Sequence, residues 1–112
     1  MNAQLHYNIL SRGTITPTQI IKTVAVTGTP EAITADDTIF ASTVIVWGKK
    51  AARTNNSGDV YVQWTAGDGD GGYKVAAGGE TWFVGRDGAK FQLSQIYVDV
   101  DTANDGVVVI YW

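Results

Sequence analysis

Cysteine is absent from the 112 residues, so neither disulfides nor thiolate-bound metals can hold this fold. The chain would form equally well in a reducing or an oxidising compartment. Proline is scarce at 2 residues and charged residues supply only 17%, against 13 glycines, a balance that fits a sheet protein with many tight turns and not a helical or disordered one. Disorder is expected at most within the first twenty residues. Long hydrophobic runs are also lacking. The longest spans about six residues, far short of the ~20 that cross a bilayer as a helix, and the N-terminus has no basic-then-apolar signal layout. The chain therefore reads as soluble, with no membrane partner. Positive charge is thin as well: the net charge is −3, and only Lys49, Lys50 and Arg53 cluster, so no direct nucleic-acid contact is expected.

Catalytic groups are equally sparse. The single histidine, His6, lies far in sequence from any Ser and Asp pairing, which leaves a nucleophile without a base. Carboxylate pairs occur at Asp36-Asp37, Asp68/Asp70 and Asp99/Asp101, each in or beside a turn, where Asp is selected for its backbone geometry. The Asp68-Gly-Asp-Gly71 stretch begins like a calcium loop. It lacks a third carboxylate, and Glu80 arrives one residue beyond the twelfth position. Glycines 67 to 72 do not open a helix and carry no Lys-Ser/Thr end, so a phosphate cradle fails too. The residues point to no enzyme, no cofactor and no metal site.

What the chain does contain is strand. A length of 112 residues suits one domain that buries roughly 60–70% of its unfolded surface, giving a thin core. Residues 1–19 show isolated apolar side chains without a sustained period and read as an extended arm. Leu5, Tyr7, Ile9 and Leu10 make that arm too apolar to lie comfortably in water, so it should pack on its own domain or on a neighbour. Residues 20–112 form the domain proper. Ile20–Thr27 reads as a strand with a kinked continuation at Glu31–Thr34. Ile39–Lys50, carrying Val44-Ile-Val-Trp47, is too apolar to be exposed on both sides and belongs in a sheet interior. Asn55-Asn-Ser-Gly58 is a turn signal, and with the alternating Asp59–Thr65 it predicts a hairpin. The Gly/Asp stretch 66–72 is a loop. Shorter strands follow at 73–76 and 81–84, and Phe91 and Leu93 lead toward the C-terminal third. There Gln95–Asp101 and Gly106–Trp112 flank the turn-rich 102–105, which predicts a second hairpin whose last strand ties Trp112 into a sheet and leaves no tail. Seven or eight short strands about ten residues apart, with no helix, are the pattern of an antiparallel sandwich or a small barrel.

Four Trp and five Tyr raise a second theme, aromatic faces that stack on sugars. Trp47, Trp64 and Trp112 each follow an apolar strand and read as caps on a hydrophobic layer. Trp82, between Thr81 and Phe83, is the least constrained, and with Tyr73 it is the candidate surface aromatic contact.

Several phrases in order carry a resemblance: Thr23–Thr34, a Val-Ile-Val strand, Gly58-Asp-Val-Tyr-Val62, Val75-Ala-Ala-Gly-Gly-Glu80 and Leu93-Ser-Gln-Ile-Tyr-Val-Asp-Val100. Together they resemble the small jelly-roll structural proteins of tailed bacteriophages, capsid decoration (cement) proteins among them, over about residues 20–112. The Gly/Asp stretch 66–72 and the polar Tyr73-Lys74 depart from that pattern. The resemblance implies a two-sheet jelly roll that binds the outer surface of the major capsid protein lattice, commonly as a homotrimer, without catalysis. It would be made in the host cytoplasm and end on the virion exterior. The arm residues Leu5, Tyr7, Ile9 and Leu10 would contact capsid or sister subunits. The alternatives are a carbohydrate-recognition module or tail/fibre domain using Tyr73 and Trp82, and a connector or tail-tube component.

Overall fold

The structure, a computed structural model, describes residues 16–64 and 72–112. Ten strands run through them: β1 Thr18–Thr23, β2 Glu31–Ala32, β3 Phe40–Ala41, β4 Thr43–Trp47, β5 Val60–Gln63, β6 Tyr73–Val75, β7 Glu80–Val84, β8 Phe91–Gln92, β9 Tyr97–Val100 and β10 Gly106–Tyr111. Seven of these have three residues or more, and the remaining three are two-residue strands. The sequence count of seven or eight thus matches the principal strands and passes over the shortest. The strand expected from Ile20 begins two residues earlier, at Thr18, which pairs with Tyr111.

All pairing is antiparallel, and it is nested. β1 pairs with β10, β2 with β9, β3 with β8, β4 with β7 and β5 with β6, so the chain is one long hairpin whose first strand meets its last. Rolled up, this ribbon alternates between layers. Sheet A takes the order β1-β10-β4-β7, sheet B the order β2-β9-β5-β6, and β3-β8 bridges them as a short pair. Two further pairings, β10 with β4 and β5 with β9, close the sheets. The result is a jelly-roll sandwich.

This topology overturns both predicted hairpins at their outer ends. β4 and β5 belong to different sheets, as do β9 and β10. Their connections are sheet-to-sheet corners, and the turn residues that suggested hairpins are engaged over long sequence distances instead. Asn56, buried between β4 and β5, donates from Nδ2 to the Gly106 carbonyl (2.7 Å) and accepts at Oδ1 from the Gly106 N–H (3.0 Å). Beside it the Asp105 carboxylate accepts from the N–H groups of Ser57 and Gly58, the latter at 2.9 Å. Lys50 Nζ lies 3.5 Å from the same carboxylate. The true hairpin is β5–β6, which brackets the Gly/Asp stretch. Residues 65–71, which include all of that stretch but Gly72, lie outside the described residues.

The core between the sheets is filled by β-branched and aliphatic side chains: Val44 and Val46 on β4, Val60 and Val62 on β5, Val98 and Val100 on β9, Val107 and Val109 on β10, with Ile33, Leu93 and Ile96 from the connections. Layers roughly 10 Å apart suit valine and leave little room for indole. No Trp lies within this core, and Trp64 takes the expected capping position on it at an open end of the sandwich, against Phe83 and Phe91. Its ring stacks on Phe91 at a centroid distance of 5.6 Å and meets Phe83 edge-on at 5.0 Å. Tyr73 joins from the other side, edge-on to Phe83 at 5.4 Å. Burying this end costs only partial exposure of each ring, whereas a central Trp would force the sheets apart.

Candidate functional site

Strand register decides which side chains face outward. Val44, Val46, Phe83, Val107 and Val109 point into the core, so the alternate residues of β10, β4 and β7 share the opposite face of sheet A. One register row on that face reads Ile110, Ile45, Trp82; the next reads Val108, Trp47, Glu80. Val84 extends β7 beyond them. Trp112 sits nearby, its N–H donating to the Thr43 carbonyl (3.1 Å) while its own carbonyl accepts from the N–H groups of Ser42 and Thr43. Trp82 and Trp112 meet edge-on, 6.2 Å between centroids.

An antiparallel sheet with one solvated face ordinarily alternates apolar and polar. Sheet A does not. Val108 is 0% exposed and Ile45 6%, yet neither belongs to the core between the sheets, so the outer face has a small apolar layer of its own. That layer is open at one end: Trp82 is 55% exposed and Val84 62%. The other end carries polar groups around Ile21, which pairs with Val108 and is itself 44% exposed. Trp47 Nε1 donates to Glu80 Oε2, Lys49 Nζ lies 5.5 Å from the Trp47 ring centre, and Arg53 Nη2 donates to Gln19 Oε1. The Ala51–Arg53 turn packs over β1 and β10 here, with Ala52 and Arg53 both in the left-handed region at φ 60° and 58°.

Sheet B is the contrast. Tyr61, Lys74 and Asp99 occupy its outer side, opposite to the inward Val60, Val62 and Val98. The Tyr61 hydroxyl donates to Asp101 Oδ2 at 3.2 Å, and Lys74 pairs with Asp59 at 3.4 Å. Partial burial first, then the hydrogen bond and the negative charge of Asp101 with that of Asp59, push the Tyr61 phenol above its ordinary value, with Lys74 opposing. Asp36, in a separate loop, accepts from the hydroxyl and the N–H of Thr38, and these bonds hold its carboxyl below the usual range. Asp99 accepts from the Gly28 N–H at 2.9 Å, which pins the β1–β2 connection to β9. Each of these carboxylates is engaged in local structure. Among the described residues no three His, Asp or Glu side chains converge to hold a metal ion, and no helix is long and apolar enough to cross a membrane.

Of the candidate residues, Tyr73 and Trp82 are both surface-exposed but lie on opposite sides of β7. Tyr73, 57% exposed, contacts the inward Phe83, and Trp82 contacts Trp112 on the outer face. They do not form one platform. Leu5, Tyr7, Ile9 and Leu10 lie outside the described residues, as do His6, Asp68 and Asp70. The outward members Ile45, Val84, Val108 and Ile110 were not singled out by sequence reasoning, and Trp112 was read only as a cap on a hydrophobic layer. The signal was present in the unbroken apolar runs Val44-Ile-Val-Trp47 and Val107-Val-Val-Ile-Tyr-Trp112, which leave no alternate position for water. In comparisons with known proteins no family model, no curated protein and no solved structure matches the chain.

Proposed function

We propose that this jelly roll is a non-enzymatic virion subunit that decorates and stabilises a tailed-phage capsid by binding the outer surface of the major capsid protein lattice. The observation that carries the reading is the apolar outer face of sheet A, open at Trp82 and Val84. A contiguous exposed apolar patch on a small polar-rimmed domain marks a contact surface. The same subunit keeps its carboxylates occupied in turns and corners, so contact area is its means of action. A lattice repeats each contact many times, and modest affinities sum through multivalency. Homotrimeric assembly, with the arm residues Leu5, Tyr7, Ile9 and Leu10 reaching sister subunits, is part of the same proposal.

The experiment is co-sedimentation of the purified chain with empty phage heads, with and without residues 1–15, a truncation that leaves β1 whole. Binding by the full chain and its loss in the truncated one support decoration; failure of the full chain to sediment with heads refutes it. The second reading, carbohydrate recognition, rests on the exposed Trp82 face. It predicts that glycan-array binding survives removal of residues 1–15 and disappears in Trp82→Ala.

A further inference from the structure

Of the 8 lysines and arginines, Arg12 lies outside the described residues, and the ion pairing of the others divides by place. Lys22 pairs with Glu31 between the edge strands β1 and β2, Lys50 with Asp105 at the corner, and Lys74 with Asp59 on sheet B. Lys49, Arg53, Arg86 and Lys90 form no ion pair among the described residues. These four bracket the outer face of sheet A. Lys49 follows β4 and lies over the Trp47 ring, and Arg53 reaches β1 at Gln19. Arg86 and Lys90, both exposed, belong to the loop that leaves β7 just beyond Val84. That loop is tightly built: the Gly85 N–H donates to the Ser42 carbonyl (2.7 Å), the Ala89 N–H donates to the Arg86 carbonyl (2.9 Å), and Asp87 and Gly88 take left-handed φ of 54° and 81°. Arg86 and Lys90 therefore flank one reversal.

The face thus has an apolar centre at Trp82 and Val84 and unpaired cations toward both ends, while its own carboxylate, Glu80, accepts from Trp47 Nε1. Sheet B has the opposite balance, with Asp59, Asp99 and Asp101 against Lys74. Apolar area supplies affinity without regard to sign, whereas rim charges choose the partner and speed the encounter. The sign selects an anionic partner. A phosphate backbone calls for a continuous cationic track, and here indole and valine lie between the two pairs of cations. A second copy docked face to face would meet like charge in either orientation, because both ends are cationic. A protein surface with carboxylates around an apolar centre meets neither objection.

We propose that the outer face of sheet A docks an acidic protein surface, with Trp82 and Val84 on its apolar centre and Lys49, Arg53, Arg86 and Lys90 paired to carboxylates around it. This rests on the reading of that face as the capsid contact, and it names the chemistry the major capsid protein would present there. The first test is independent of phage heads. A capped peptide of alternating Glu and Leu, its Lys and Leu counterpart, and a DNA duplex are each titrated into the isotope-labelled chain and followed by NMR. The Glu and Leu peptide should shift the Trp82 indole and the amides of Val84, Arg86 and Lys90, leaving those of Tyr61 and Asp99 in place. A peptide that moves none of them overturns the proposal. So does an equal response to the Lys and Leu peptide, a stronger one to DNA, or the same shifts on concentrating the chain alone.

The second test is head co-sedimentation. Raising NaCl from about 0.1 M to about 1 M shortens the Debye length from about 10 Å to about 3 Å and should weaken binding about tenfold. Arg86→Glu should weaken it roughly three- to tenfold, whereas Lys74→Glu on sheet B, an equal change in net charge, should leave it within about twofold. Both variants should keep the wild-type circular dichroism spectrum. Head binding that ignores salt and Arg86→Glu overturns the acidic partner and leaves decoration standing. Peptide preference without head binding refutes decoration and leaves the docking chemistry standing.

Discussion

Replacing Asn56 by Ala should cost about 3 kcal/mol of folding stability, a large share of the total for a domain this size. The buried Asn56 amide closes a two-bond ring with the N–H and C=O of Gly106, itself buried, where β10 has run past the end of β4. Alanine leaves both backbone groups facing a gap. Each unsatisfied buried group costs about 1–3 kcal/mol, so the pair gives roughly 2–6 kcal/mol. A chain of about a hundred residues has a total stability of about 5–15 kcal/mol, and each kcal/mol moves its midpoint by roughly 4–8 °C. Thermal and urea melts followed by circular dichroism should therefore show Asn56→Ala melting at least ~10 °C below wild type with an unchanged urea m-value. Asn56→Asp is the control: its carboxylate can still accept from the Gly106 N–H but repels the carbonyl, so it should recover little. A loss under about 1 kcal/mol for Asn56→Ala, or an Asn56→Asp variant as stable as wild type, would refute the claim that this ring holds the corner.

Gly106→Ala should be at least as damaging, because a Cβ at that position would overlap the Lys22 carbonyl oxygen of the paired strand; chemical denaturation measures it. Ala52→Gly should stabilise by about 1 kcal/mol, since the left-handed φ of 60° penalises a Cβ that glycine lacks, and a higher urea midpoint is the readout. Trp64→Ala should cost about 2–4 kcal/mol through lost contacts with Phe83 and Phe91, whereas Trp82→Ala, with one edge contact, should cost under about 1 kcal/mol in the isolated chain. The Tyr61 phenol is raised above its unfolded value near 10, so its contribution is complete below that pH and is lost as pH climbs through the folded value. Wild type should therefore lose stability relative to Tyr61→Phe above about pH 10, read from urea melts across pH 8 to 11.

The sandwich class was legible because β-branched density and turn spacing are local signals, and the interior placement of Val44-Ile-Val-Trp47 followed from its unbroken apolarity. Strand partners were not. Asn55-Asn-Ser-Gly58 and Thr102-Ala-Asn-Asp105 read as hairpin turns because Asn, Asp and Gly favour tight reversals. Here the same residues turn corners between sheets, and what distinguishes the two uses is the contact of Asn56 with Gly106 and of Asp105 with Ser57 and Gly58. Those partners stand 47 to 50 positions apart in sequence, beyond any local pattern. Which layer each Trp caps was not legible either. Strand position fixes only the face, and Trp64 closes the core against Phe83 and Phe91 whereas Trp47 and Trp112 lie with the outer side of sheet A.

The two sheets carry different sequence patterns, and that difference bears on orientation. In sheet B, β9 alternates Val98 and Val100 inward with Tyr97 and Asp99 outward, the pattern of a strand with water on one side. In sheet A, β10 runs Val107 to Tyr111 without a polar residue, and Val108 is fully buried on the side away from the core. Folding alone needs only Val107 and Val109; a polar residue at position 110 would leave the core between the sheets untouched. Apolar side chains at Ile45, Trp82 and Ile110 thus add nothing to the inner layer, and of the outward side chains Trp82 and Val84 expose surface that favours association. On the proposed function, the partner would lie on the outer face of sheet A, with sheet B and its Tyr61, Lys74 and Asp99 turned to solvent.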